Sequence, residues 1–321
     1  MRRTWHDRGM KLQPHPELGA GSERYHARIN RAIALIDARI DAELDLQTLA
    51  DAACLSAHHF HRVFKSLVGE TVHEFTTRLR LERALSLARM KPAKPWKQIA
   101  ATCGYRSPAV FSRAFKRHYG ESPAKFNLDA YWHSRPDAVE AATVSAYFLR
   151  PSSPAPADFT VDLVYRPSAN LICSRAWGGY VDPSALLQAY ERLIGWAERE
   201  QLPIGGGKLA GASRDDPDVT PLSRCRYDFT LEIPAVISPP SGLFVAERAP
   251  GWWAVHALDG DMSAVDRAWN LLFKSWLPAS GLDLRNVPAE EVYRQTPAEI
   301  GWDRFDLLCC VPVQPIEEAR S

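Results

Sequence analysis

Cys54, His58 and His61 stand at i, i+4 and i+7 in "CLSAHHFH", a spacing that lines three metal-competent side chains along one face of a helix. The same stretch opens a basic segment, "HHFHRVFKSLVG" (residues 58–69), which is written again as "AVFSRAFKRHYG" (residues 109–120). The two copies agree as Phe-x-Arg-x-Phe-Lys-x-x-x-Gly. Each sets an aromatic pair at i and i+4, Phe60 with Phe64 and Phe111 with Phe115, so one stripe faces a core. Arg62, Lys65, Arg113, Lys116 and Arg117 fall outside that stripe. A helix half buried and half basic suits an acidic partner, and a surface that tracks phosphates is built this way. A metal site would need a fourth ligand, which is not evident, and it would occupy the face that the basic helix presents. Contacts to bases or phosphates are therefore the expected role of His58 and His61, and no metal is expected.

Each basic helix needs an element to hold it, and both copies have the same one upstream. "LDLQTLADAACLSAHHF" and "KPWKQIAATCGYRSPAVF" each carry an apolar-Ala pair (Leu49-Ala50, Ile99-Ala100), a small turn region, and a serine, Ser56 or Ser107, placed to cap the helix that follows. This is the pattern of a helix-turn-helix, with Ala allowing close approach and Gly104 supplying a turn residue tolerant of positive φ. Cys54 takes the place of Gly104 in the first copy, so that turn is expected to be strained. Between the copies, residues 71–90 space Val72, Phe75, Leu79, Ala84, Leu87 and Ala88 for one amphipathic helix. About 20 residues at ~1.5 Å each span ~30 Å, close to the ~34 Å between successive major-groove faces on one side of B-DNA. Two basic helices on such a spacer would reach adjacent turns without a second copy of the chain.

Charge divides the chain in the same place. Residues 1–150 hold 24 Lys/Arg against 15 Asp/Glu, a net of +9, and residues 151–321 hold 15 against 23, a net of −8. The total of +1 over 321 residues hides this asymmetry. "RPSSPAPADF" (residues 150–159) reads as a junction, within a linker over 131–157, and residues 1–22 read as a flexible arm before a helical domain at 23–130. The second half is rich in strand-formers, "FTVDLVYRP", "NLICSRAWGGY", "RYDFTLEIP", "LFVAERAPGWWAVHALDG" and "FDLLCCVPV", with helices at "PSALLQAYERLIGWAERE" and "MSAVDRAWNLLFKSWL". Strand, helix and strands written twice imply an α+β domain, two helices on an antiparallel sheet. The six cysteines lack CxxC spacing and read as reduced thiols, and no apolar run approaches the ~18 residues of a membrane span. A cytoplasmic protein is expected.

"LADAACLSAHHFHRVFKSLVGETVHEFTTRLRLERALSLAR" and "IAATCGYRSPAVFSRAFKRHYGESPAKF", within residues 24–128, resemble the double helix-turn-helix domain of AraC/XylS-type transcription regulators. The resemblance implies an all-α domain of seven helices, with residues 56–67 and 108–119 in successive major-groove segments of double-stranded DNA. Base-facing positions would be His58, His61 and Arg62, then Ala109, Ser112 and Arg113, with Lys65, Ser107, Lys116 and Arg117 nearby. Ala109 offers only an apolar contact, such as one to a thymine methyl, so the second helix should read more loosely. "AVDRAWNLLFKSWLPASGLDLRNVPAEEVYR", within residues 158–316, resembles the gyrase-inhibitor-like small-molecule-binding domain. DNA-binding domain first and this domain second resembles the right-origin-binding branch of the family. RNA polymerase is then an implied partner, and the bacterial nucleoid the implied place of action.

That second resemblance maps the family's pocket carboxylate to Glu291, with Tyr293 on the same strand face and Trp177, Tyr180, Trp253 and Trp269 as lining aromatics. A lone carboxylate among aromatic faces suits a flat cationic effector, through charge pairing and cation–π attraction. The plainer reading is that Glu291 is a surface residue beside Glu290 and that the tryptophans fill the core. Some domains of this kind resemble hydrolases using the same Glu, so a hydrolase or toxin-sequestering module is the alternative. Residues 151–321 contain no Ser/His/Asp set and no phosphate loop, and His256 is their only histidine. A ligand-sensing regulator without cofactor, rather than an enzyme, is the expected function.

Overall fold

The chain is described here from a computed structural model over residues 20–89, 94–127, 130–131, 156, 158–217, 219–234, 239–285 and 287–315. Nearly all of the expected arm and linker lies outside these residues, and the first helix begins at Ala20, inside the span assigned to the arm. Six helices are complete among the described residues: α1 Ala20–Ala38, α2 Leu46–Ala52, α3 Ala57–Val68, α4 Val72–Arg89, α5 Trp96–Thr102 and α6 Pro108–Tyr119. The seventh expected helix falls largely outside the described residues, of which 130–131 are again helical.

Both basic helices start as their sequence dictates. Ser56 accepts the His59 N–H at 3.4 Å and Ser107 the Val110 N–H at 3.3 Å, each satisfying a backbone donor that the first helical turn leaves open. The two turns are equivalent, Cys54 at φ +53° and Gly104 at φ +75°, so the first copy does hold a β-carbon in left-handed backbone. The apolar faces build two small cores. Ile33, Ile36, Leu49, Phe60 and Phe64 form the first, and Leu85, Ile99, Ala100, Phe111 and Phe115 the second.

Helix α4 serves both cores, which is why a single stripe does not describe it. Phe75 and Leu79 enter the first core and Leu81, Ala84 and Leu85 the second, while Arg78 and Glu82 are also buried; Val72, Leu87 and Ala88 are only half-buried. The two units also touch directly. Arg80 donates to the Ile40 and Ala42 carbonyls at 2.7 Å each, Arg106 pairs with Glu43, and a β-carbon on Gly104 would lie 2.5 Å from the Asp41 carbonyl oxygen. Its φ favours glycine there, as Cys54 shows without requiring it, and the close approach of Asp41 is what excludes a side chain.

The described residues of the second half form one antiparallel, nine-stranded sheet: β1 Asp162–Arg166, β2 Ala169–Trp177, β3 Leu209–Ser213, β4 Arg226–Ile233, β5 Phe244–Arg248, β6 Gly251–Gly260, β7 Leu282–Leu284, β8 Glu290–Gln295 and β9 Phe305–Pro315. The spatial order is β1-β6-β9-β8-β3-β4-β2-β5, with β7 on β9. Helix α7 (Pro183–Arg199) follows β2, and α8 (Met262–Leu271) follows β6, so the βαββ unit occurs twice and the copies meet where β3 pairs β8. α8 continues through a π-helical turn at Leu272–Trp276 into Leu277–Ala279, and a short α9 (Pro297–Ile300) precedes β9. Two residues join β5 to β6, although these strands lie near opposite ends of the sheet. Three Cα steps reach at most about 11 Å, so the sheet curls until its ends approach.

One face of the sheet packs on α7 and α8 through residues such as Leu193, Ala197, Phe229, Val265 and Leu307. An antiparallel sheet can leave its other face to water, but here α1 lies against part of it, with Ala34 on Leu171, Cys173 and Phe244.

Candidate functional site

The two recognition-type helices present the side chains expected of them. His58, His61, Arg62 and Lys65 on α3 and Ala109, Arg113, Lys116 and Arg117 on α6 are exposed, while Ser107 and Ser112 are half-buried. Ser107 is committed to its cap through Oγ. Val110, which sequence reasoning passed over, is 41% exposed beside Ala109, so the start of α6 offers an apolar patch where α3 offers imidazoles. The Cys54 thiol accepts from Arg31 Nη2 at 3.8 Å, so it is engaged by α1. Among the described residues no group of three His, Cys, Asp or Glu side chains is placed to hold a metal ion.

On the sheet, strand alternation sorts the remaining candidates. Glu291 and Tyr293 point to the helix-covered face, where Tyr227 Oη donates to Glu291 Oε2 at 2.6 Å and Trp269 Nε1 donates to Oε1 at 3.0 Å. Phe273 stacks on Trp269 at 5.8 Å, and the π-helical turn begins just before it. Burial pushes the Glu291 carboxyl above its ordinary range, and the hydrogen bonds from Tyr227 and Trp269 oppose that only in part. Both partners are neutral donors. The carboxylate is half-buried, and neither of these side-chain partners carries a positive charge.

Tyr227 reaches Glu291 because of a glycine. Gly211 on β3 pairs with Glu291 across the strand junction, and a β-carbon there would fall 1.8 Å from Tyr227 Oη. Neither Tyr227 nor Gly211 stands out in the sequence; the strand-like alternation of "RYDFTLEI" is the one signal there, and it does not say which strand faces Glu291.

Two of the expected lining aromatics lie elsewhere. Trp253 is on the opposite sheet face with Ala210, Val292 and Cys310, beneath the Arg166 guanidinium at 4.8 Å, because it shares the orientation of Val292 and not of Glu291. Trp177, at the end of β2, packs against the first helical core. Tyr180 sits at the margin, bonded to Ser213 Oγ at 3.2 Å. Glu290, which faces away from Glu291, is buried in an ion pair with Arg166 at 2.6 Å. Aromatic residue type alone does not separate pocket from core.

Residues 49–128 match a family model described as a helix-turn-helix domain, and residues 159–314 match one described as a GyrI-like small molecule binding domain. The probable transcriptional regulator LumQ of Photobacterium leiognathi is 35% identical over 93 residues, 29% of this chain and 37% of that protein. The HTH-type transcriptional regulator AlkR of Acinetobacter baylyi is 34% identical over 101 residues, 32% of this chain and 33% of that protein. The chain thus spans about a third of the length of these relatives. Among solved structures, the DNA-binding domain of AdpA in complex with a target DNA is 29% identical with a TM-score of 0.30, covering 34% of this chain and 96% of that one.

Proposed function

We propose that the chain is an AraC-type transcription regulator, a reading supported by its match to a helix-turn-helix domain followed by its match to a GyrI-like small molecule binding domain. It reads two adjacent major-groove segments of double-stranded DNA with α3 and α6 and senses a flat cationic effector at Glu291. The observation that carries the DNA reading is the fixed relation of the two basic helices. Each is capped by a serine and seated on a shared α4, and the units are held together by Arg80, Gly104 and the Arg106–Glu43 pair. Phosphate contacts come from Lys65, Lys116 and Arg117, and base contacts from His58, His61, Arg62, Ser112 and Arg113, with Ala109 and Val110 against a thymine methyl. The effector reading is supported by a half-buried carboxylate whose hydrogen-bond partners among the described residues, Tyr227 and Trp269, are neutral. RNA polymerase is the partner through which such a regulator acts, on the bacterial nucleoid in the cytoplasm, and the second domain binds its ligand without turning it over.

Footprinting and titration of the full chain test the DNA reading. A monomer should protect roughly two helical turns, and Arg62→Ala or Arg113→Ala should each weaken the specific complex by about 1 to 3 kcal/mol while nonspecific binding changes less. Protection of a single turn, or binding that requires a dimer, overturns it.

A further inference from the structure

Arg226, Tyr227 and Asp228 are consecutive on β4, and strand alternation divides them between the two faces. Tyr227 covers Glu291 on the helix-covered side. Arg226 and Asp228 point the other way, into a buried cluster of three arginines and three aspartates. Arg226 pairs with Asp215 at 2.6 Å and Asp37 at 3.0 Å, Arg175 with Asp228 at 2.7 Å and Asp37 at 3.5 Å, and Arg214 with Asp37 at 3.3 Å and Asp228 at 3.7 Å. Five of the six belong to the α+β half; only Asp37, on α1, belongs to the helical half. Without it the cluster would hold three positive charges against two negative, away from water. The Arg226 guanidinium also lies 5.5 Å over the ring of Phe75 in the first helical core.

We infer that β4 is a transmission element: Tyr227 is a gate on Glu291 that a bound cation displaces, and the displacement passes through Arg226 and Asp228 to Asp37 and α1. The ligand half of this rests on the reading of Glu291 given above; the mechanical half does not. A cation approaching Glu291 Oε2 must take the place of the Tyr227 hydroxyl, which sits at 2.6 Å. The ring has little free space to turn into, being packed edge-on to Phe229 at 5.0 Å and fitted over the bare α-carbon of Gly211. Close-packed interiors answer such displacement by shifting backbone between discrete arrangements. The backbone concerned carries the two residues that hold Asp37. A ligand on one face of the sheet thereby changes the seat of the helix-turn-helix pair on the other.

The test uses the full chain and amide hydrogen exchange along α1, with α6 as an internal reference for global unfolding. Tyr227→Phe removes the hydroxyl from Glu291 without a ligand. It should speed exchange over residues 30–38 at least threefold and leave α6 unchanged. In Asp37→Asn, with the lock broken, Tyr227→Phe should add nothing further in α1. Should that variant fail to fold, Asp37→Asn with Arg214→Gln restores a neutral cluster and serves in its place. Exchange in α1 that ignores Tyr227→Phe, or that rises by the same factor with and without Asp37, overturns the coupling. The ligand reading fails separately: if tetraalkylammonium and aromatic ammonium probes do not bind by calorimetry while α1 still answers Tyr227→Phe, the transmission stands and the cation assignment falls.

Discussion

Three carboxylates held in the interior or partly so, Asp37, Glu82 and Glu291, differ in how many cations face them. Burial alone would raise Asp37, but Arg226, Arg214 and Arg175 outweigh it and hold the carboxyl below its ordinary range. Burial of Glu82 wins over its one strong partner, Arg78 at 3.0 Å, which is shared with Glu70, and Asp215 adds like-charge repulsion; the carboxyl is pushed up to about 7. Among the described residues Glu291 has no arginine or lysine partner, and burial raises it against the hydrogen bonds from Tyr227 and Trp269. Buried ion pairs mostly offset their own desolvation and are retained for geometry. A compensated carboxylate can therefore serve as a structural joint, as Asp37 does between α1 and the sheet, whereas an uncompensated one opposes folding when it ionises.

The largest effect should come from the compensated member. Asp37→Asn leaves three arginines with two aspartates, and removing one partner of a buried pair costs about 3 to 5 kcal/mol. Chemical denaturation of the full chain at neutral pH measures this. The same contact gives an acid-side signature: the Asp37 carboxyl is lowered in the fold, so its contribution is present above its unfolded pKa, near 3.8, and is lost as pH falls through the lower folded value. A loss below about 1 kcal/mol would mean the cluster is solvated like a surface pair.

Glu82 should behave in the opposite sense. Its folded pKa of about 7 lies above the ordinary 4.5, so its ionisation opposes folding, and stability falls as pH rises from the lower value through the higher. Glu82→Gln should flatten that slope and gain up to about 3 kcal/mol at pH 8. Arg78 keeps Glu70 at 2.6 Å, so the substitution strands no charge. Identical pH–stability curves for the two proteins would show that Arg78 compensates Glu82 fully. Gly211→Ala comes next: its β-carbon displaces the Tyr227 hydroxyl, an overpacking cost of about 1 to 3 kcal/mol. Loss of the Tyr227–Glu291 hydrogen bond should accompany it.

What could be read in advance followed from how local each signal is. The paired basic helices were legible because cap, turn, aromatic pair and basic residues lie within about 17 consecutive positions and are written twice. Glu291 was legible through resemblance, and its face through alternation. Of its partners, Trp269 was named with it through the same resemblance, but Tyr227, 64 residues away, was not, since only the sheet order brings β4, β3 and β8 together. Asp37, in "IALIDARI", looks like an ordinary exposed helix charge; its partner Arg226 lies 189 residues on. Trp177 and Trp253 fitted the pocket by type, yet domain contact and strand parity decided their places.

The smallest change in stability, and the most discriminating sign, should come from Glu291→Gln. The amide keeps the shape and one oxygen to accept from Tyr227 or Trp269, while it removes a charge that no arginine or lysine offsets. Burial disfavours the charged form, so the neutral isostere should leave the fold unchanged or more stable by up to about 1 kcal/mol at pH 8, against the loss expected at Asp37. Binding should move the other way. Affinity for aromatic cations should fall by about 2 to 5 kcal/mol, the usual penalty for truncating one partner of a buried charge pair, while neutral isosteres bind as before. Thermal unfolding and calorimetry on the same two proteins read both quantities. Destabilisation of Glu291→Gln would place an unseen compensating charge beside the carboxylate, and equal weakening of cationic and neutral ligands would reduce Glu291 to a packing residue. A more stable protein that has lost its cations alone is the signature of a carboxylate held in reserve for a ligand.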